Sequence, residues 1–145
     1  MKIILQRVSS ASVTVSGSIV GQINRGYVVL LGIGLGDNKE KIAKAIDKIK
    51  KLRLFADAEG KTNLSISDIG GGLLVVSQFT LYADCRKGNR PSFTDAAPPA
   101  LAEELYDYFV AEARPHFKEV ACGVFGGDMQ VALVNDGPFT VVLES

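Results

Sequence analysis

Four consecutive residues, Ser77-Gln78-Phe79-Thr80, place two hydroxyls and an amide at the end of an apolar stretch running from Leu73 to Leu81. Where a buried strand runs out, side chains and free backbone N–H groups can converge on a ligand, which is what orienting a substrate and stabilising an oxyanion require. The competing account is structural, because Thr favours strands for its branched Cβ. A Thr nucleophile also needs a base, and no histidine or acid stands near Thr80 in sequence, so chemistry here depends on backbone donors more than on a side chain.

A second segment, Asn135-Asp136-Gly137-Pro138-Phe139-Thr140, joins two alternating apolar runs. Its Pro has no N–H to give to a ladder, so the segment is expected at a turn or an edge, and its plainest reading is a hairpin turn. With a cis Gly137-Pro138 bond it would hold two neighbouring carbonyls in one direction as fixed acceptors. A third segment, Arg86-Lys87-Gly88-Asn89-Arg90-Pro91, follows the first on a loop where cations could meet an anionic ligand.

Other chemistry is poorly served. Gly32-Ile33-Gly34-Leu35-Gly36 lies between a strand and a helix, where phosphate loops sit, but it is GxGxG and lacks both the GxGxxG spacing of dinucleotide sites and the GK[ST] of a P-loop. It reads as a glycine-rich strand end that allows close chain packing. Cys85 and Cys122 stand at no helix N-terminus and beside no base, so they read as incidental free thiols of a reducing compartment. His116 is the only histidine, which leaves too few ligands for a His-based zinc site and one imidazole for any Ser-His or Cys-His mechanism. The lysines 39, 41, 44, 48, 50 and 51 form a basic helix face of the kind that is usually just solvated.

The elements that must position these residues follow from patterning. Lys2 to Val8 alternates, Ala11 to Val15 and Ser18 to Ile23 flank a Ser16-Gly17 turn, and Tyr27 to Ile33 is a continuous apolar run, as in a central buried strand. Asp37 stands three residues before Glu40 as in a capping box, opening a helix to about Lys51. Arg53 to Asp68 is polar and turn-rich, and Pro98-Pro99 opens a second helix with Leu101, Leu105, Tyr108 and Phe109 inward and acids outward. Strands are expected at Lys118 to Cys122, Met129 to Asn135 and Phe139 to Glu144. The expected architecture is mixed α/β: largely antiparallel sheets layered with two main helices on one side.

The 145 residues carry 16 Lys+Arg against 16 Asp+Glu and are 47% hydrophobic, which describes one globular domain, residues 1–145, with no linker or repeat. The longest apolar stretch, Tyr27 to Leu35, is about half of the roughly 20 residues a membrane-spanning helix needs, and no export signal is recognisable. A cytoplasmic, membrane-free location is expected. Zero net charge argues against broad wrapping of nucleic acid and leaves room for a small local contact.

Ser77-Gln78-Phe79-Thr80-Leu81 together with Asn135-Asp136-Gly137-Pro138-Phe139-Thr140 resembles the two signature segments of the D-aminoacyl-tRNA deacylases, formerly the D-tyrosyl-tRNA deacylases. Gln6-Arg7-Val8, Gly88-Asn89-Arg90-Pro91-Ser92-Phe93 and Gly123-Val124-Phe125-Gly126-Gly127-Asp128-Met129 extend the resemblance over essentially the whole chain, with Gly127 where Ala is more usual. The resemblance implies a β-β-α deacylase-type fold and hydrolysis of the ester joining a D-amino acid, or glycine, to tRNA. It implies a homodimer in which Gly137-Pro138 of one subunit, with a cis bond, reaches the other subunit's pocket, reads the α-amino group and excludes an L side chain. By the same resemblance Thr80 and Phe79 supply a backbone oxyanion donor, Gln78 and Ser77 hold that segment in shape, Phe125 and Met129 line the pocket, and Arg7 braces the Gly-Pro segment. No metal or cofactor is implied. The acceptor end of aminoacyl-tRNA would be the partner, with Arg86, Lys87 and Arg90 meeting its phosphates. A nucleotide-binding module built on Gly32 to Gly36 and a non-catalytic RNA-binding protein built on Arg86 to Arg90 are the rival classes, and neither gives Gly137-Pro138 a purpose.

Overall fold

In the computed structural model, which describes residues 1–145, the alternating start of the chain is one strand rather than two: β1 spans Lys2–Val15. Its buried positions are Ile3, Leu5, Val8, Ala11 and Val13. The three-residue steps around Val8 break the two-residue alternation, at the place where pairing with the last strand slips. A bulge of this kind turns a strand over, so Ile3 and Leu5 enter one core and Val8, Ala11 and Val13 enter another.

After Ser16-Gly17, both at positive φ as a tight hairpin turn demands, β2 (Ser18–Ile23) returns along the far half of β1. The near half of β1 pairs antiparallel with β3 (Gly26–Gly32). β3 then pairs in parallel with β6 (Gly72–Ser77), and β6 with β7 (Glu119–Cys122). The last strand, β8 (Gln130–Glu144), runs the length of β1 on its other edge, and β2 lies against β7, so the sheet of six strands curls back on itself.

Two helices cover one face: α1 (Lys39–Lys51) and α2 (Pro99–Ala113). Ile42, Ile46 and Ile49 recur at helical spacing and pack with Leu105, Tyr106 and Phe109 onto Tyr27, Val29, Leu31, Leu73 and Val75. The intervening residues Val28, Leu74 and Val76 face the opposite way, into the smaller core closed by Val131 and Leu133 of β8. Residues of β3 and β6 are thus buried on both faces, which is why these strands read as continuous apolar runs.

Several expectations are corrected. The α1 cap is Asn38, whose Oδ1 accepts from the Lys41 N–H at 3.0 Å, and Asp37 is buried in a different role. On α2 it is Tyr106 that is buried, and Leu101 is exposed. The turn-rich stretch after α1 contains a separate two-stranded sheet, β4 (Arg53–Ala56) and β5 (Thr62–Ser65), too short for periodicity to register. The strand from Leu73 stops at Ser77, and Phe79–Tyr82 is a 3-10 turn. Finally, the Asn135 to Thr140 segment is no hairpin, because both flanking runs belong to β8 and pair with β1 in one direction.

Candidate active site

A cavity of about 850 Å³ opens where β3 and β6 end, beneath the start of α2. Ser77, Gln78 and Phe79 form part of its wall, Leu31 and Ile33 its floor, and Phe125 and Met129 contribute from the loop between β7 and β8. Its position beyond the ends of parallel strands is where open α/β sheets leave a crevice for ligands.

The geometry of the Ser77 to Thr80 segment follows from its departure from the sheet. The Gln78 N–H still donates to the Leu31 carbonyl at 2.8 Å, the last rung of the ladder. The chain then tightens, with Leu81 N–H donating to Gln78 O at 3.3 Å and Ala83 N–H to Thr80 O at 3.0 Å. Phe79 and Thr80 open this turn, and the first N–H groups of a helix have no acceptor inside it. The Gln78 side chain donates from Nε2 to Thr80 Oγ1 at 2.6 Å, tying amide and hydroxyl together. Phe79 is 57% exposed, its ring meeting the edge of Phe93 at 5.0 Å.

Three further wall residues carry no assigned role in the sequence reading. Tyr106 donates its hydroxyl to Val75 O at 2.9 Å, and burial, with the nearby Cys122, pushes its pKa above the ordinary tyrosine value. Its ring tilts against Phe125 at 5.7 Å. Phe93 stands in the Arg90-Pro91-Ser92-Phe93 run, and Asp128 is the one formally charged side chain on the wall. The helical period of α2 is the signal that marks Tyr106; no local signal marks Asp128.

Gly137 and Pro138 do not line this cavity within the chain. The pairs Gln6↔Thr140 and Val8↔Asn135 enclose one residue of β1, Arg7, against four of β8, Asp136 to Phe139, so the segment bulges out of the sheet. The Gly137-Pro138 bond is cis, as the resemblance implied, and both residues are exposed. The base of the bulge is fixed on two sides. Asn135 Oδ1 accepts from Phe139 N–H at 3.0 Å, and Arg7 donates from Nε to Asp136 O at 3.0 Å and from Nη1 to Leu54 O at 2.6 Å. The guanidinium also lies 4.7 Å from the centre of the Phe139 ring. Gly137 has φ +137°, a conformation that L side chains rarely adopt.

Arg86, Lys87 and Arg90 occupy the exposed loop after the 3-10 turn, closed by an isolated bridge between Asp84 and Ser92. Arg86 donates from Nε and Nη2 to the Asp84 carboxylate, each at 2.8 Å, and these bonds hold that carboxyl well below the usual range. Lys87 and Arg90 form no ion pair within the chain. His116 stands past the end of α2, while the cavity meets Pro98, Pro99 and Ala102 at its start; a helix of this length puts roughly 20 Å between them. Much of the α1 lysine face is paired, Lys44 with Glu40, Lys51 with Asp47 and Lys39 with Glu104.

Residues 4–144 match the family described as D-Tyr-tRNA(Tyr) deacylase. The chain is 54% identical over 145 residues, 100% of its length and 97% of the relative's, to a protein of Desulfitobacterium hafniense (strain DSM 10664 / DCB-2) described as D-aminoacyl-tRNA deacylase. A solved structure described as c-Myc DNA Unwinding Element Binding Protein is similar with TM-score 0.94 at 43% identity, covering 100% of this chain and 99% of that one. Another, of a probable eukaryotic D-amino acid tRNA deacylase, shares the fold with TM-score 0.82 at 18% identity, covering 98% and 97%.

Proposed function

The chain belongs to the D-Tyr-tRNA(Tyr) deacylase family, and from that premise we propose that it hydrolyses the ester bond of D-aminoacyl-tRNA at the cavity walled by Ser77, Gln78 and Phe79, with Thr80 just outside its lining, releasing D-amino acid and tRNA. The carrying observation is that the Phe79–Tyr82 turn and the Gly137-Pro138 bulge both break from the regular strands, are both held by side-chain hydrogen bonds and are both open to solvent.

An aminoacyl ester is already activated, so the protein has to place water and stabilise the charge that develops on the carbonyl oxygen. The Phe79 and Thr80 N–H groups at the mouth of the turn are suited to the second task. The first falls to the substrate's own ribose 2′-OH, since His116 lies far from the cavity and the Thr80 hydroxyl meets the Gln78 amide, with no base to take its proton. Phe125 and Met129 offer the apolar surface against which the terminal nucleoside packs.

Selectivity comes from the bulge. In a homodimer the Gly137-Pro138 segment of one subunit enters the other's cavity, its carbonyls accept from the α-ammonium group, and the space where an L side chain would project is filled by main chain. A D side chain, or the hydrogen of glycine, meets no such obstacle, so glycyl-tRNA is a second substrate. Exclusion by a fixed clash discriminates far better than a favourable pocket contact, which separates close analogues weakly. Support for the dimer is the exposure of Val134 and Val142, at 57% and 60%, on either side of the bulge in β8. Lys87 and Arg90 meet acceptor-stem phosphates, and the protein works in the cytoplasm, where its substrate is made; no helix is long and apolar enough to cross a membrane.

Subunit mixing tests the shared site. Phe79→Pro, which removes one of the two proposed N–H donors, and Gly137→Val proteins, each inactive alone, should regain activity when unfolded and refolded together, because a mixed dimer contains one intact combination. No recovery, with mixed dimers demonstrably formed, contradicts a site completed across subunits.

A further inference from the structure

Phe79 and Leu35 are among the most exposed large apolar side chains of the chain, at 57% and 62%, and both line the same cavity. The reaction above uses only the Phe79 N–H and gives its ring no task. Apolar surface left in water beside a binding cavity marks a place where a ligand completes the packing.

Phe93, also on the cavity wall, meets the first of these rings. The two ring centres lie 5.0 Å apart with their planes at 66°, so the pair forms an open corner rather than a closed stack. A flat base can lie against a ring face there. Phe93 is fixed by backbone on both sides. Asp84 and Ser92 exchange N–H···O bonds of 2.7 and 3.0 Å just before it, and its own carbonyl accepts from Ala96 N–H at 3.1 Å. Leu35 is tied to the same stretch, its N–H donating to Asp95 O at 3.1 Å.

The two rings also stand at the feet of the basic loop. Between Phe79 and Phe93 the chain carries Arg86, Lys87 and Arg90, of which Lys87 and Arg90 form no ion pair within the chain. Aromatic faces flanked by free cations suit single-stranded nucleic acid, because stacking holds the bases while the cations follow the phosphates that join them. Phe125 and Met129, assigned to the terminal nucleoside, come from the separate loop between β7 and β8, so a second nucleoside has a surface of its own.

We propose that the Phe79 and Phe93 rings, with Leu35 beside them, form a stacking platform for the nucleotide 5′ to the aminoacylated one, so that the site takes a single-stranded 3′ end at least two nucleotides long. This inference rests on the deacylase reading and deepens it. Phe79 then serves twice, its N–H facing the ester and its ring facing the neighbouring base.

The test measures kcat/KM for ribose-linked D-tyrosyl esters of 5′-AMP and of the dinucleotide CpA. Both carry the 5′ phosphate, so they differ by the added nucleoside alone. A stacked base is worth roughly five- to one-hundred-fold in binding, so the parent should favour the CpA ester by about ten-fold or more, with the gain in KM. Phe93→Ala should bring the ratio of the two esters close to one, and Phe93→Tyr, which keeps the ring, should preserve it. A merely structural role for Phe93 would lower both esters together and leave the ratio as in the parent. That result, or a parent with no preference for the CpA ester, would overturn the proposal. If Phe93→Ala does not fold, Phe93→Leu, which keeps apolar bulk without a ring face, decides in its place. A parent that hydrolyses neither ester would remove the deacylase reading instead, and calorimetric titration with CpA and with 5′-AMP would then judge the platform by the ratio of Kd values.

Discussion

Arg7, in the middle of β1, donates from Nε to the main-chain carbonyl of Asp136 at 3.0 Å and so ties the Gly137-Pro138 bulge to the strand it interrupts. The same side chain donates to Leu54 O and lies over Phe139, so one residue sets both the height and the tilt of the segment assigned to chiral selection.

Replacing Arg7 by Ala should therefore loosen the bulge more than the fold. The bonds to two carbonyls that this removes are charge-assisted and largely buried, which corresponds to a stability loss of about 2–3 kcal/mol. Chemical denaturation should show that loss with an unchanged slope, and D-aminoacyl-tRNA turnover should fall much further than the folded fraction. Equal falls in both would mean that Arg7 serves stability alone.

Gly137→Ala tests the bulge itself. A Cβ there would stand 2.9 Å from the Phe139 nitrogen and 3.2 Å from Arg7 Nη2, at a φ that Ala resists. The D-to-L ratio of kcat/KM should drop by roughly ten-fold or more, a size set by the misplacement of a rigid element. A folded variant with the parent's chiral ratio would remove the bulge from selection.

Thr80→Ala separates backbone from side-chain chemistry. The variant keeps the N–H and loses only the hydroxyl that accepts from Gln78, so it should retain activity within roughly ten-fold of the parent. Loss to the background rate, or a covalent acyl-enzyme trapped on the parent protein, would restore Thr80 as nucleophile.

The segments at Thr80 and Gly137 also show how far local sequence is informative. Ser77 to Thr80 and Gly137-Pro138 stand out because hydroxyls at a strand end and a Pro between strands have few structural excuses. The manner in which each is held is not legible. The break after Ser77 falls where pairing with β3 ends at Leu31, and the four-residue bulge opposite Arg7 depends on pairing between β1 and β8, more than a hundred residues apart in the chain, so local patterning cannot distinguish that bulge from a hairpin. Asp37 shows the converse, since its spacing from Glu40 imitates a helix cap while its buried carboxylate meets Met1, the Gly34 N–H and Lys41.

Lys87→Ala and Arg90→Ala should each raise KM for aminoacyl-tRNA and reduce the dependence of log KM on log salt by roughly 0.7–0.9 for each phosphate no longer neutralised. Arg86→Ala should do less, because Asp84 already engages its guanidinium. Identical salt slopes in all three would move the tRNA-binding surface elsewhere.

Stability should fall at high pH. The Tyr82 pKa is raised from 10.0 to about 12, and those of Tyr27 and Tyr106 are raised as well, each chiefly by burial. The unfolded chain releases these protons more readily, so stability is fully present below about pH 10 and is lost as pH rises toward 12. Tyr82→Phe should flatten part of that decline in denaturant titrations taken at successive pH values; a decline of unchanged steepness would show that Tyr82 does not contribute.

The most direct measurement is the release of labelled amino acid from matched D- and L-tyrosyl-tRNA, with enzyme far below substrate so that turnover is separated from binding. Rapid, multiple-turnover loss of the D ester with the L ester left intact is the predicted result. Equal loss of both, or binding of both without release, would contradict a hydrolase that selects by excluding the L side chain.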